Sequence, residues 1–435
     1  MRVRRGVLAL AAGVLLGGVV VPATPGAAVG SGHEVWAIDQ SDSRPDGGGR
    51  LYVYDGAGLA GHAGSATPEV VDLGGDARTA CLAATATAPR RPHMLLFSPS
   101  QSHAIVSFVA TGHVLFLDGA SRRAVGCVDV GAQAHAAVPT PDGSSVLVAN
   151  QNGKLFQRIR TDFSTNTFTL DTAATIDLAT CTTPSGAACQ DPVLRPDNAP
   201  ICPIVDGTGR FAFVTLRGGG LLVVDPTATP MRIVAEYDRA TVHPTGCGGV
   251  EAAGKMYVNS GGGTAANPVE SDLYTFSMAA FSIVANPPNM PAPSVVFSHD
   301  GRGFVDSHGA TLTKHGRYLW LADRAANRIV VVDTSSDTVV DELDMVGDLS
   351  RDPAPDLLDV SPTGNRVYVS LRGPNPLTAN VAGVGNAVGA TPGVGVLRVE
   401  RGGASGMLQA IAPISNVVGG TERADIHGLR VRHTH

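Results

Sequence analysis

One short turn recurs along this chain and sets the scale of everything else. It reads Ser98-Pro-Ser-Gln101, Thr140-Pro-Asp-Gly143, Asp206-Gly-Thr-Gly209, Thr313-Lys-His-Gly316 and Ser361-Pro-Thr-Gly364. A β-rich run follows nearly every copy, as in Ser145-Val-Leu-Val-Ala149, Arg210-Phe-Ala-Phe-Val214, Arg317-Tyr-Leu-Trp-Leu321 and Arg366-Val-Tyr-Val-Ser370. Such regular copying of one supersecondary unit is the mark of a repeat architecture.

Each unit reads as four short strands, A to D from the inside outward. One unit places them at 134–140, 144–150, 153–159 and 165–177, and another at 307–313, 316–322, 327–333 and 337–345. Short strands at even spacing, without helical periodicity, indicate an all-β fold. A strands start near residues 92, 134, 200, 245, 307 and 355. Upstream of these, Glu34–Asp39, Arg50–Tyr54 and Glu69–Asp72 supply B, C and D with no A, and Ala424–Arg432 supplies the missing strand from the other end. One blade built from both termini closes the ring and removes the open sheet edges. The expectation is a seven-bladed β-propeller over residues 29–435, the C-terminal strand completing the N-terminal blade.

The 53 Gly and 29 Pro punctuate apolar runs and read as turns. Charged residues are 16% and the net charge is -6, with no basic block, which argues against a nucleic-acid partner. Arg2, Arg4 and Arg5, an apolar stretch from Gly6 to Val21 and small residues through Ala28 have the layout of a secretory signal peptide over 1–28. That stretch is shorter than the roughly 20 residues a spanning helix needs. A secreted or cell-envelope monomer with no membrane span in the mature chain is therefore expected, and the glycine- and alanine-rich bias suits a bacterium.

An exported chain with six cysteines favours disulfides. Cys181 and Cys189 share one polar loop. Cys202 and Cys247 each lie seven residues before their turn glycine, Gly209 and Gly254, so they occupy equivalent places on successive repeats. Cys81 and Cys127 remain by elimination, their pairing open. No C-x-x-C occurs.

The repeats also carry chemistry at one register. Eight residues before the last residue of the turn stand His93, His135, His308 and Asp356, and eight after it stand Arg217, Arg324 and Arg372. In a closed ring, a repeated register becomes a ring in space. Strand A starts on the face that carries the D–A and B–C loops, and the long connections 40–49, 74–91, 179–199, 261–270 and 373–393 are of those two types. Axial histidines, rim arginines and long loops thus converge on one mouth, where function usually sits. His427 on the closing strand joins the set, as does His243, three residues upstream of the register in its own repeat.

Neutral imidazole suits copper or zinc, so His93, His135, His243, His308 and His427 are candidate metal ligands. Arg217, Arg324 and Arg372, with Asp356, are candidate ligand-binding residues, because guanidinium forks match carboxylate or phosphate. The bland alternatives are histidines lining a water-filled channel and arginines bracing the B–C turns through loop carbonyls. His33, His62, His103, His113, His299, His315, His433 and His435 fall on other registers or at ends and are expected at the surface.

The stretches Ala322-Asp-Arg-Ala-Ala-Asn-Arg-Ile-Val-Val-Val-Asp-Thr-Ser-Ser-Asp-Thr-Val-Val340 and Ser361-Pro-Thr-Gly-Asn-Arg-Val-Tyr-Val-Ser370 resemble the YVTN-type propeller repeat. The resemblance implies a secreted or periplasmic propeller and little about chemistry, since that architecture hosts binders, lactonases, and copper and quinone enzymes. The histidine-lined mouth is similar to that of nitrous-oxide reductase and of copper-dependent thiol oxidases. Here, however, there is no adjacent His-His pair and no room after the seventh blade for a cupredoxin domain. No G-x-S-x-G elbow, Walker loop or H-E-x-x-H occurs. Two functions follow as expectations. One is a module that binds a small anionic ligand, or a protein or peptide, at the mouth. The alternative is a copper- or zinc-dependent propeller enzyme, an oxidoreductase or a lactonase-like hydrolase.

Overall fold

The computed structural model describes residues 32–434, apart from 43, 245, 262–270, 285–288, 300–302, 314 and 384–385. The secretory leader expected over 1–28 and His435 lie outside the described residues. The recurrent turn is a tight one: the Gly143 amide donates to the Thr140 carbonyl at 2.9 Å. Gly143, Gly209, Gly254, Gly316 and Gly364 have φ of 70, 71, 73, 68 and 74°, the left-handed region that glycine enters without strain.

Around these turns the described residues build seven antiparallel blade sheets, six of four strands and one of five, with a small two-stranded ribbon of Val417–Val418 and Thr421–Glu422 besides. The innermost strands are Ile426–Thr434, Pro92–Phe97, Ala134–Pro139, Pro200–Val205, Gly249–Ala252, Ser307–Leu312 and Pro355–Val360. They touch one another in that cyclic order, the last against the first. The first blade runs Ile426–Thr434, Gly32–Asp39, Arg50–Asp55, Glu69–Asp72, with Trp36 opposite Arg430 and Val35 opposite Val431, so the termini close the ring as expected.

Alternation along each strand sends successive side chains to opposite neighbouring blades. Tyr257 packs with Leu321 and Val330 on one side while Met256 packs with Phe213 and Val223 on the other. Seven such apolar clusters fill the seven blade interfaces. Both strand faces are therefore apolar, which is why the repeats read as nearly continuous hydrophobic runs.

Two helices depart from the all-strand expectation: α1 (Gly56–His62) and α2 (Asp76–Thr85). The Asp55 carboxylate caps α1 by accepting from the Gly58 amide at 2.7 Å. The alanine-rich run Asp76-Ala-Arg-Thr-Ala-Cys-Leu-Ala-Ala-Thr85 has the propensity for α2. Helix α2 lies against the outer strand Ala124–Asp129 and is tied to it by Cys81–Cys127. Cys181–Cys189 and Cys202–Cys247 are the other disulfides. Three histidines expected at the surface are buried instead: His103, His113 and His299. His103 bonds Asn166 of the next blade at 2.7 Å, His113 bonds Thr85 at the end of α2 at 2.8 Å and His299 stacks on Phe297, so each ring has partners in the interior.

At the closure, the buried Asp39 accepts from the amides of Ser41 and Asp425, each at 3.0 Å, and from the Asn416 side chain at 2.9 Å. Burial nonetheless pushes its carboxyl up from 3.8 to about 6. Between those values the folded protein holds a proton that the unfolded chain has released, so stability falls as pH rises through the window and levels off above it. Asp39→Asn removes that component. Denaturant unfolding at pH 4 and pH 6 should show the variant gaining on the wild type by roughly 2 kcal/mol across the interval. An unchanged difference would refute the assignment.

Candidate metal centre at the axis

Six of the seven inner strands carry a register irregularity, and each falls on the shared position. The shifts lie between Pro92 and Leu95, Ala134 and Ala136, Pro200 and Pro203, Ser307 and Ala310, Pro355 and Leu358, and opposite Ala37 to Asp39 around His427. A bulge breaks the in–out alternation and re-aims a side chain, here toward the axis. Hydroxyls on the second strands stabilise the arrangement. Ser107 accepts from the Met94 amide at 3.3 Å and donates to the His135 carbonyl of the next blade at 2.9 Å. Ser370 does the same between Leu357 and the His427 carbonyl, at 3.0 and 2.7 Å.

The structure brings four of the five candidate histidines together. Ring centroids are 4.6 Å apart for His135 and His93, 3.9 Å for His93 and His427, and 5.2 Å for His427 and His308. His93, His308 and His427 are buried and His135 is partly open to the cavity. Each buried ring is tethered through Nδ1: His93 to Gln40 Oε1 at 2.7 Å, His427 to the His93 carbonyl at 3.2 Å and His308 to Asp356 at 2.5 Å. Gln40 uses its amide group on Asp425 at 2.9 Å, so its oxygen accepts and the His93 proton sits on Nδ1. That leaves His93 Nε2 with a lone pair, buried and without a hydrogen-bond partner.

Burial, reinforced by the neighbouring rings, holds His93 far below the usual imidazole range, and burial holds His427 there as well. Burial and His308 push His135 down to about 3. Neutral rings are what the close stack of His93 on His427 requires and what a metal ion binds.

Behind the rings lies a lattice of buried charge. Asp356 Oδ2 accepts from Arg372 at 2.8 Å and Arg324 at 3.3 Å. Arg324 also pairs with Asp306 at 2.6 Å, and Arg372 with Asp425 at 2.6 Å. Burial alone would raise Asp356, but the surrounding cations, Arg324 foremost, hold its carboxyl well below the usual range. Both Asp356 oxygens are thus occupied, which makes it an anchor for His308 and two guanidiniums. Arg324 and Arg372 are likewise committed to carboxylates, and Arg372 reaches one loop carbonyl, Thr378, at 3.2 Å.

The structure sets His243 apart from the axis and leaves Arg217 at the rim of the mouth. His243 precedes its inner strand and bonds Asp272 at 2.6 Å, away from the axial rings, because its inner strand begins only at Gly249. Arg217 stands exposed at the rim, paired with Asp197 at 2.5 Å.

Above the rings is a cavity of about 310 Å³ lined by His93, His135, His308, His427, Gln133 and Arg217 among others. Gln133, buried in its wall, has an Oε1 without a partner. A signal for the supporting residues was present in the chain: Asp306-Ser-His308 and Asp425-Ile-His427 are the same Asp-x-His step on the two inner strands that flank Asp356.

No protein-family model and no characterised sequence relative matches the chain. Among solved structures it is similar to the Pseudomonas aeruginosa periplasmic gluconolactonase, with 14% identity, TM-score 0.56, and 92% of this chain covering 99% of that one. A protein from Lactobacillus plantarum gives 11% identity and TM-score 0.58, covering 92% and 99% of the two chains. A protein of unknown function from Desulfotomaculum acetoxidans gives 10% and 0.53, covering 92% and 99%. At these identities the likeness establishes the propeller fold, one shared with a lactonase.

Proposed function

We propose that this is an exported propeller that binds copper or zinc at its axis, among His93, His308 and His427, beneath a mouth that admits a small ligand; one donor atom each of His308, His427 and Asp356 already lie within 4.8 Å of one another. The observation that carries this reading is the orphaned Nε2 of His93. An unpartnered buried nitrogen costs roughly 1–3 kcal/mol, and a metal ion would satisfy it. The tethers from Gln40, Asp356 and a backbone carbonyl are the outer-shell bonds that orient metal-binding imidazoles.

The test is metal content. Purified mature protein, reconstituted with copper(II) or zinc and desalted, should hold about one equivalent, and His308→Ala/His427→Ala should hold almost none. Equal content in both proteins, or none in the wild type, would overturn the reading.

The mouth suits a small anion bearing an N–H or O–H donor: Gln133 Oε1 awaits a donor and the Arg217 guanidinium faces solvent at the lip. An enzymatic alternative, a lactonase-like hydrolase or an oxidoreductase, draws on the same cavity, which has room for a substrate. A metal bound there would supply Lewis acidity or, for copper, one-electron exchange. Turnover of a lactone or a thiol by the loaded protein, lost in His308→Ala/His427→Ala, would distinguish catalyst from binding module.

A further inference from the structure

One residue beyond the shared register, the inner strands present Met94, Ala136, Cys202 and Leu357, which with Ile201 form an apolar cluster against which Cys247 packs. The Cys202–Cys247 bridge therefore lies at the axis, joining two neighbouring inner segments. His135 Nδ1 stands 4.0 Å from Cys202 Sγ, and one nitrogen and both sulfurs lie within 4.8 Å of one another. Cys202 is buried and Cys247 is partly exposed, and the residues before them, Ile201 and Gly246, are cavity walls, so Cys247 offers the approach for a small reductant.

We propose that Cys202–Cys247 is a reducible bridge and that its opening creates a second metal site, Cys202 and Cys247 thiolates with His135, for zinc or copper(I). A small dithiol supplies the two electrons: its sulfurs become a disulfide, the protein S–S bond breaks, and two thiols form. Metal binding then releases their two protons. Two thiolates and one imidazole are a soft donor set that selects these ions over magnesium or calcium. The propeller would then take up metal according to the redox state of its surroundings.

The experiment compares zinc content of oxidised protein with that of protein reduced by dithiothreitol and desalted without air. Reduction should add about one equivalent to the wild type, and His135→Ala should lose that gain. Cys202→Ser/Cys247→Ser should also lose it while keeping the oxidised-state content, and Cys181→Ser/Cys189→Ser should retain the gain. No gain in the wild type, or a gain that survives Cys202→Ser/Cys247→Ser, overturns the proposal. A readout that needs no variant is alkylation of the reduced wild type mapped by peptide mass: zinc should protect Cys202 and Cys247, and unprotected cysteines refute the site. Because the imidazole centre is judged on oxidised protein, either site can fail without the other.

Discussion

Asp356→Ala is expected to lower the unfolding free energy by about 3–5 kcal/mol, the usual cost of removing one partner from a buried ion pair. The carboxylate is wholly buried and serves three groups, Arg372, Arg324 and His308. Without it, Arg372 keeps Asp425 and Arg324 keeps Asp306, but two buried guanidiniums then share one carboxylate fewer. Asp356→Asn preserves the shape and loses the charge, and its amide hydrogens would face guanidinium donors, so it should fall between alanine and wild type. A second effect is expected at the candidate metal centre. His308 loses the bond that orients it, and loss of such an outer-shell partner typically weakens metal binding 10–100-fold. Denaturant unfolding reads the first effect and metal titration of the folded variant reads the second. An alanine variant as stable as the wild type would mean that water or relaxation already satisfies the arginines, and the lattice would not be the anchor described.

The ring was legible because each blade repeats its own turn, and a turn that needs φ near +70° writes glycine into the sequence. The axial histidines were legible for the same reason: one register, copied, must converge. His243 shows where this logic stops. Its blade has no bulge at the shared position and its inner strand starts late, so an offset of three residues places the ring beside Asp272. Helix α2 was missed because a decoration on one blade leaves no repeat signal, although its alanine content favours a helix. The arginines illustrate a deeper limit. Their register placed them at the rim of the mouth, yet Arg324 and Arg372 are buried behind the rings, because whether a guanidinium meets a ligand or a carboxylate depends on residues from other blades. Only the Asp-x-His pair hinted at the partners.

Removing residues 424–435 should abolish cooperative folding. The closing strand Ile426–Thr434 places Ile426, Leu429 and Val431 in the cluster between the first and last blades, all nearly or fully buried. Truncating one such side chain typically costs 2–5 kcal/mol, so Leu429→Ala alone should lower stability by about that much. Losing all three, with the hydrogen-bonded ladder to Gly32–Asp39, should exceed the 5–15 kcal/mol that a folded domain usually has. The deletion would also bare the edge of Gly32–Asp39, an invitation to intermolecular strand pairing and aggregation. Thermal unfolding and light scattering of the truncated chain report both effects. A synthetic peptide spanning 424–435, added in trans, should restore a cooperative transition by strand addition, and because it carries His427 it should restore axial metal as well. A truncated chain that melts cooperatively near the wild-type midpoint would show that the other six blades hold the ring without the strand, and the axis would then be shaped independently of its closure.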